Sequence, residues 1–379
     1  MKILLLGNYV NDAQESMQRF ATFMAEGLAQ AGHDVQLLKP PPIFGALRPS
    51  QNGVGKWLGY LDKFGCFPLV LKSAVKKADV VHVCDQGNSF YTQFLKSVPN
   101  LVTCHDLLAV RSARGEFPQN RTRWTGRQYQ SMVVKGLTGA QHIACASEAT
   151  RKDVLRIVGI REHRVSRVYN SLSYPYSRMP ISEAASRLRS LSVEPTDAFL
   201  LHVGGNQWYK NRLGVLRIFS HLVKLTLPES MKLVLVGKPW TAEMRQFVVA
   251  NDLGKVTLEL TDISNENLRA LYSTAHLMLF PSLEEGFGWP IIEAQACGCP
   301  VATSDRSPMD EVAGTAGIYI DPEDLQSAAV VLKSALEKIA GMRDASLRNA
   351  ARFRAGMIDS YVSVYEQVCN EKAAARSMN

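Results

Sequence analysis

A glycine-rich turn between two carboxylates carries the clearest chemistry in this chain: Glu285-Gly286-Phe287-Gly288-Trp289-Pro290-Ile291-Ile292-Glu293. Residues 275–281 before it read as a buried strand. Pro290 suits the first helical positions, where no amide hydrogen is required. A helix is expected from Ile291 to Cys297, with Gly298 placed to end it. Gly286 and Gly288 let the backbone approach a ligand closely. A glycine turn feeding a helix N-terminus offers amide hydrogens to an anion, typically a phosphate. Carboxylates would repel a phosphate, so Glu285 and Glu293 are expected to accept hydrogen bonds from hydroxyl groups instead. Phosphate donors beside hydroxyl acceptors describe a site for a nucleotide sugar.

Other candidates sit where strands are expected to end. Lys210 follows the run Phe199–Gly204 and the pair Gly204-Gly205, and Asn211 and Arg212 come next. His105 and Asp106 follow Leu101–Cys104, and Asn8, Asn11 and Asp12 follow Lys2–Gly7. Gly237-Lys238 and Thr261-Asp262 follow two later runs and are expected to frame a nucleotide base. Ligands of open α/β sheets bind at the carboxyl ends of the strands. A lysine there can neutralise a diphosphate leaving group as charge builds on it.

The elements that must position these residues alternate regularly. Short apolar runs at Lys2–Gly7, Asp34–Leu38, Val80–Cys84, Leu101–Cys104, His142–Ala146 and Val165–Val168 are separated by amphipathic stretches, of which Gln14–Ala31 is a helix candidate. The pattern restarts at Phe199–Gly204, Lys232–Gly237, Val256–Leu260, Leu277–Phe280, Val301–Thr303 and Ile318–Ile320. Two sets of strands alternating with helices predict an α/β chain of two Rossmann-like domains. The seam is expected near Tyr174–Pro180, where prolines break both periods. Domains of 1–175 and 176–357 follow. Met357, Tyr361, Val364, Tyr365 and Val368 recur at helical spacing, giving a helical tail over about 351–372.

The segment EEGFGWPIIEAQACGCPVATSD resembles the Glu-x7-Glu region of retaining GT-B glycosyltransferases of family 4, also called group 1. His202 to Arg212 resembles the donor-phosphate loop of that family, and Cys104-His105-Asp106-Leu107 its first-domain His-Asp-Leu element. Ala146-Ser147-Glu148 and Val168-Tyr169-Asn170-Ser171 are similar to two further signatures. The resemblance implies two domains facing across a cleft, with the tail (about 358–379) packed back on the first. It also implies a nucleotide-diphosphate sugar in the second domain and an acceptor hydroxyl presented by the first, with retention of anomeric configuration. By resemblance Glu285, His105 and Lys210 are catalytic. Gly205, Lys210, Asn211, Arg212, Gly237, Lys238, Thr261, Gly286, Phe287, Gly288 and Glu293 hold the donor, Glu293 through the ribose hydroxyls. Asn8, Asn11, Asp12 and Asp106 lie on the acceptor side. Two departures stand out: Tyr209 replaces an arginine common before the lysine, so Arg212 is expected as the second cation, and the Gly7–Ser16 loop lacks the usual paired glycines.

The 379 residues, 46% hydrophobic and 21% charged, suit a soluble chain of two domains. No apolar run reaches membrane-spanning length, and Met1–Gly7 is too short for a signal peptide. Seven cysteines without zinc-finger spacing read as buried thiols of a reducing cytoplasm. No Asp-x-Asp triplet and no metal-ligand spacing occur, so neither metal nor cofactor is expected. Residues 1–175 hold 22 Lys/Arg against 12 Asp/Glu, whereas 176–379 hold 21 against 23. The basic half points to an anionic partner. Aromatics and lysines mix in Lys56–Phe67, with Lys72, Lys76 and Lys77 following, and Arg111, Arg114, Arg121, Arg123 and Arg127 surround Trp124. These suggest peripheral contact with the anionic inner face of a membrane, unless the aromatics are core and the charges merely solvated. No RNA-binding signature favours nucleic acid. The reading is a hexosyltransferase acting on a glycan or lipid-linked acceptor in bacterial surface polysaccharide or glycoconjugate synthesis. A GT-B epimerase and a catalytically silent GT-B binding module are the alternatives.

Overall fold

The computed structural model describes the chain apart from residues 13, 50–52, 226–230 and 378–379 and the side chain of residue 376. It divides into two compact units, Met1–Tyr169 with Gly356–Asn379, and Asn170–Ala355. Each is built on a six-stranded, wholly parallel sheet.

In the first unit the strands are β1 (Lys2–Leu6), β2 (Asp34–Leu38), β3 (Val80–Val83), β4 (Asn100–Cys104), β5 (His142–Cys145) and β6 (Val165–Arg167). Their order across the sheet is β2-β1-β3-β4-β5-β6. In the second unit they are β7 (Phe199–Gly204), β8 (Lys232–Gly237), β9 (Thr257–Leu260), β10 (Leu277–Phe280), β11 (Val301–Ser304) and β12 (Gly317–Ile320), ordered β12-β11-β10-β7-β8-β9. Central strands are buried on both faces, which is why they read as unbroken apolar runs rather than alternations. Helices cover the sheets and close two cores, one around Leu4, Val83, Val102 and Ile143, the other around Leu200, Phe219, Leu235 and Leu279.

Observed strand ends lie within a residue or so of the apolar runs. Larger differences concern the joints. The unit boundary falls after Tyr169, ahead of the Tyr174–Pro180 segment where the sequence suggests a seam. Residues 171–180 pack on the second unit: Trp289 Nε1 donates to Ser171 O (3.1 Å), Arg269 Nε to Ser177 O (2.8 Å), and the Met179 amide to Ser273 Oγ (2.9 Å). The tail helix begins at Met357, after Gly356, rather than near 351, because residues 343–351 form a separate helix of the second unit. It runs to Ser377 and lies on the first unit. Tyr361 OH meets Thr103 Oγ1 (2.7 Å), Tyr365 OH meets His82 Nδ1 (2.9 Å), and His82 Nε2 meets the same Thr103 hydroxyl (2.7 Å). All four side chains are buried, so this network satisfies polar groups that would otherwise be costly to enclose.

Burial pushes His82 and His202 down to about 3 and His142 to about 4. These rings stay neutral in the fold, while an unfolded histidine takes a proton near pH 6.5. Acid therefore favours the unfolded chain, and stability is lost as pH falls from 6.5 towards those lowered values. Each ring adds to that loss across the window. Thermal melts should show the midpoint falling steadily from pH 7 to pH 5, above the range where ordinary carboxylates titrate. A midpoint that stays flat to pH 5 would contradict the assignment.

Candidate functional site

In the second sheet the chain winds outward from β7 in one direction through β8 and β9, then returns to the other side of β7 to lay down β10, β11 and β12. β7 and β10 are therefore neighbours whose following loops leave in opposite directions, the switch point at which open α/β sheets bind ligands. Lys210 comes from the loop after β7, at the end of a single 3-10 turn, Trp208–Lys210. Glu285 comes from the loop after β10.

The two loops are tied together. Leu283 N donates to Tyr209 O (2.8 Å) and Asn211 Nδ2 to Pro281 O (3.0 Å). Between these ties Lys210 Nζ donates to Glu285 Oε1 at 2.7 Å, and Ser282 Oγ donates to the same oxygen at 2.9 Å. The lysine and glutamate side chains keep only 16% and 7% of their exposure, and the ammonium also lies 5.2 Å from the centre of the Phe280 ring.

The turn then reaches Gly288, which adopts φ +95° as the residue before the helix Trp289–Ala296. Only glycine takes that conformation cheaply. Pro290 is the second residue of the helix, not the residue before it. Glu293 lies about one turn in, almost fully buried, and Tyr272 OH donates to its Oε2 at 3.0 Å. Burial pushes the Tyr272 phenol well above its usual range, so it stays protonated and able to donate. Phe287 is buried against Phe353.

Gly237 ends β8 at φ +148°, and a Cβ there would stand 2.0 Å from Gly204 O, so glycine alone lets these strand ends meet. Arg212, expected as a second cation facing the donor, is instead buried at the start of the helix Arg212–Val223. Its Nη1 donates to Asn206 Oδ1 (2.5 Å) and Lys238 O (2.6 Å), bracing the loop after β7 against the loop after β8. Lys238 and Thr261 are exposed just beyond β8 and β9. Gly205, Lys210, Asn211, Gly237, Lys238, Thr261, Gly286, Phe287, Gly288 and Glu293 thus lie at or after the carboxyl ends of four strands of one sheet.

The first unit has its own switch point, between β1 and β3. Asn8 follows β1, and its Nδ2 donates to Asp85 Oδ2, beyond β3, and to Gln14 Oε1. Asn11 Nδ2 reaches Tyr9 OH and Gly45 O, each at 3.3 Å, and Asp12 pairs with Lys63 at 3.0 Å. Asp106 accepts the Leu108 amide (2.9 Å) at the start of the helix Leu108–Ala113. His105 is buried edge-on to Phe20, with Nε2 2.9 Å from Cys84 O. A carbonyl only accepts, so Nε2 carries the hydrogen and Nδ1 the lone pair. Burial lowers the His105 pKa, so the ring is neutral. A hydroxyl reaching it would donate to Nδ1.

Sequence reasoning missed Tyr272, Ser282, Asp85 and Lys63, the partners of Glu293, Glu285, Asn8 and Asp12. Ser282 had a local signal, a hydroxyl between a strand end and Glu285. The others are distant in sequence from what they hold. Among the described residues no group of three or more His, Cys, Asp or Glu side chains could hold a metal ion, and no helix is long and apolar enough to cross a membrane.

Two doubly wound Rossmann-like units, each gathering polar side chains at its switch point, are the parts of the GT-B glycosyltransferase fold. The family model described as "Glycosyltransferase Family 4" matches residues 17–173, and that described as "Glycosyl transferases group 1" matches 187–353. The chain belongs to this family. It is 24% identical over 254 residues to O-antigen chain mannosyltransferase B of Escherichia coli, spanning 66% of this chain and 65% of that protein. It is also 24% identical over 295 residues to the serotype-specific mannosyltransferase WbdA of Escherichia coli, spanning 73% of this chain but 35% of WbdA. The chain thus spans less than two thirds of these relatives. A crystal structure of Anabaena HepE in complex with UDP and glucose superposes with a TM-score of 0.71 over the whole of both chains at 15% identity, which is a likeness of fold.

The Lys210–Glu285 pair is mostly buried, so removing one partner strands the other's charge. Lys210→Met should destabilise the protein by about 1–3 kcal/mol, and Lys210→Met with Glu285→Gln by less than the two single changes combined. Urea denaturation of the three variants measures this. Strict additivity would mean the pair is not formed in solution.

Proposed function

We propose that this protein is a retaining glycosyltransferase. It moves a hexose-type sugar from a nucleotide-diphosphate sugar to a hydroxyl of a glycan or lipid-linked acceptor, in bacterial surface polysaccharide or glycoconjugate synthesis. The observation that carries the reading is the cation and carboxylate held in contact at the β7/β10 switch point, with Glu293 one turn into the adjoining helix. The two Escherichia coli relatives are named as mannosyltransferases, and HepE was crystallised with UDP and glucose. Those names support the reaction class and a nucleotide-sugar donor. The first unit is read as the acceptor side and the second as the donor side.

In this reading the diphosphate takes Lys210 from Glu285. Lys210 then offsets the charge that builds as the sugar–phosphate bond breaks, at a site already fixed by Asn211 and Phe280. Glu285, relieved of its partner, turns its acceptor oxygens to the sugar hydroxyls, and Glu293, held from beneath by Tyr272, accepts the ribose hydroxyls. Neutral His105 accepts from a further hydroxyl. The acceptor oxygen bonds to the anomeric carbon on the face the nucleotide leaves and passes its proton to the departing phosphate, so configuration is retained and the nucleoside diphosphate is released. Lys210 supplies the leaving group's cation, so the reaction is proposed to need no metal. The exposed cations of the first unit would bring the enzyme to the anionic inner face of a membrane, where a carrier-bound acceptor resides.

Thermal stabilisation by UDP, GDP or ADP should identify the donor base. With that donor, Glu285→Gln should lower kcat by about two orders of magnitude, and Lys210→Ala should raise the barrier by roughly 2–4 kcal/mol. Glu293→Ala should mainly raise donor KM. Wild-type kinetics in all three variants would refute the site, and inhibition by EDTA that added metal reverses would refute the metal-free route.

A further inference from the structure

The first unit has a second cavity-forming feature that the transfer chemistry does not use. Residues 53–75 form one continuous rod: the helix Gly53–Tyr60, a π-helical turn at Leu61–Cys66, and the helix Phe67–Val75. π turns concentrate at functional sites. Inside the rod Asp62 is fully buried and accepts from Tyr9 OH (2.7 Å), Phe44 N (2.8 Å) and Gly45 N (2.9 Å). Lys63 is buried beside it, paired with Asp12 and 5.1 Å from the centre of the Tyr60 ring. The rod is thus bolted to the loop after β1, which carries the proposed acceptor residues.

Its outer side is apolar and uncovered. A groove of about 380 Å³ runs between the rod and the helix Trp124–Gly139, walled by Trp57, Tyr60, Phe64, Trp124, Tyr129 and Met132. That volume falls within the roughly 300–1,000 Å³ of small-molecule sites. The residues recur at helical spacing, so each helix turns one face to the groove. Rings follow one another edge to face from Trp57 to Tyr60 (5.6 Å) and Tyr60 to Phe64 (5.6 Å), and Phe64 lies tilted against Phe90 (4.7 Å). Yet Trp57 is 64% exposed, Trp124 71% and Met132 41%. Large apolar side chains gathered at an open groove mark a binding surface.

The charges around it select the occupant. Between residues 53 and 77 the exposed cations are Lys56, Lys72, Lys76 and Lys77, Lys63 being buried against Asp12, and the one acid is the buried Asp62; residues 121–135 expose Arg121, Arg123, Arg127 and Lys135 and carry no acid. Lys56 lines the groove itself. No carboxylate lines it, so sugar hydroxyls would find none of their usual charged acceptors. A second copy of the chain would set one cationic rim against another, which is repulsive. We infer that the groove holds the aliphatic chain of an anionic lipid, with its phosphate among the rim cations. Resting on the transferase reading, this makes the acceptor's carrier a lipid held by the same rod that braces the acceptor loop.

Calorimetric titration with hexyl, octyl and decyl phosphate below their micellar concentrations tests this. Affinity should rise roughly fourfold per added methylene until the groove is filled, and inorganic phosphate alone should not bind measurably. Met132→Glu and Trp124→Ser, both at exposed positions, should each weaken decyl phosphate at least tenfold. Lys56→Glu should weaken it while leaving the chain-length dependence intact. Affinity independent of chain length, or unchanged in Met132→Glu, would overturn the inference. So would a dimer that Met132→Glu dissolves and decyl phosphate does not, since the occupant would then be a second copy. Stabilisation by nucleoside diphosphates, measured on the same proteins, separates the two readings. If they stabilise the protein while no alkyl phosphate binds, only the groove assignment falls. If alkyl phosphates bind and no nucleotide does, the transferase reading falls instead.

Discussion

Each sheet of this protein must reverse its direction of winding once, and that reversal fixes where polar side chains can gather. Elsewhere a parallel sheet is covered by crossover helices, and consecutive loops crowd one another. Between β7 and β10, and between β1 and β3, the loops part. Backbone groups at those strand ends lose ladder partners and have to be satisfied by side chains. Asn211 does so for Pro281 O, and Asn8 joins Asp85 across the other gap. Lys210, Glu285 and Ser282 sit in the space that the parting loops leave. The polar cluster follows from sheet topology, and its chemistry follows from the cluster.

Electrostatically, the second unit's switch point holds a charge pair rather than a lone charge. A lone Lys210 or Glu285 at these exposures would be costly, and together they offset each other's desolvation. Both donors, the ammonium and the Ser282 hydroxyl, converge on one carboxylate oxygen, which orients the group before any ligand arrives. An anionic ligand at Lys210 would exchange one ion pair for another, so binding need not expose a bare charge. Glu293 is held differently, by a neutral phenol that burial keeps protonated. One carboxylate has a partner that an anion can displace, and the other is fixed from within the fold.

The fold was largely legible because its central strands are buried on both faces. Runs such as Leu277–Phe280 and Lys232–Gly237 carry no alternation to confuse with a helix, and the two sets announce two sheets. The glycine turn and its helix were legible for a local reason, since Gly288 and Pro290 each impose a backbone conformation. What sequence could not give were contacts made by tertiary folding. Tyr272 finds Glu293 only after the chain has crossed β10, and Arg212 turns inward because Asn206 and Lys238 O lie there. The joint between units lies a few residues earlier for the same reason: prolines at 175 and 180 mark irregular backbone, but hydrogen bonds that Trp289 and Arg269 donate and Ser273 accepts decide which core that backbone joins.

Sequence also left open whether the aromatics near Lys56 were core or surface, and the π turn explains why both readings had merit. Along Leu61-Asp62-Lys63-Phe64 the side chains go out, in, in and out. Within this turn the inward pair is polar and the outward pair, Leu61 and Phe64, is apolar, the reverse of an ordinary surface helix, whereas the following helix buries Phe67, Leu71 and Val75 and exposes Lys72 in the usual way. Such an inversion is stable only because Asp62 finds three donors and Lys63 a carboxylate and two rings. Polar groups of the turn fix the rod to the loop after β1, and Phe67, Leu71 and Val75 fix it to the core, which leaves Trp57, Leu61 and Leu69 exposed on its outer side. An apolar face that the fold does not need for its own stability is available for something outside the chain. The anchor also determines where that something is held, because whatever fills the groove is fixed relative to Asn11 and Asp12 by the same buried carboxylate.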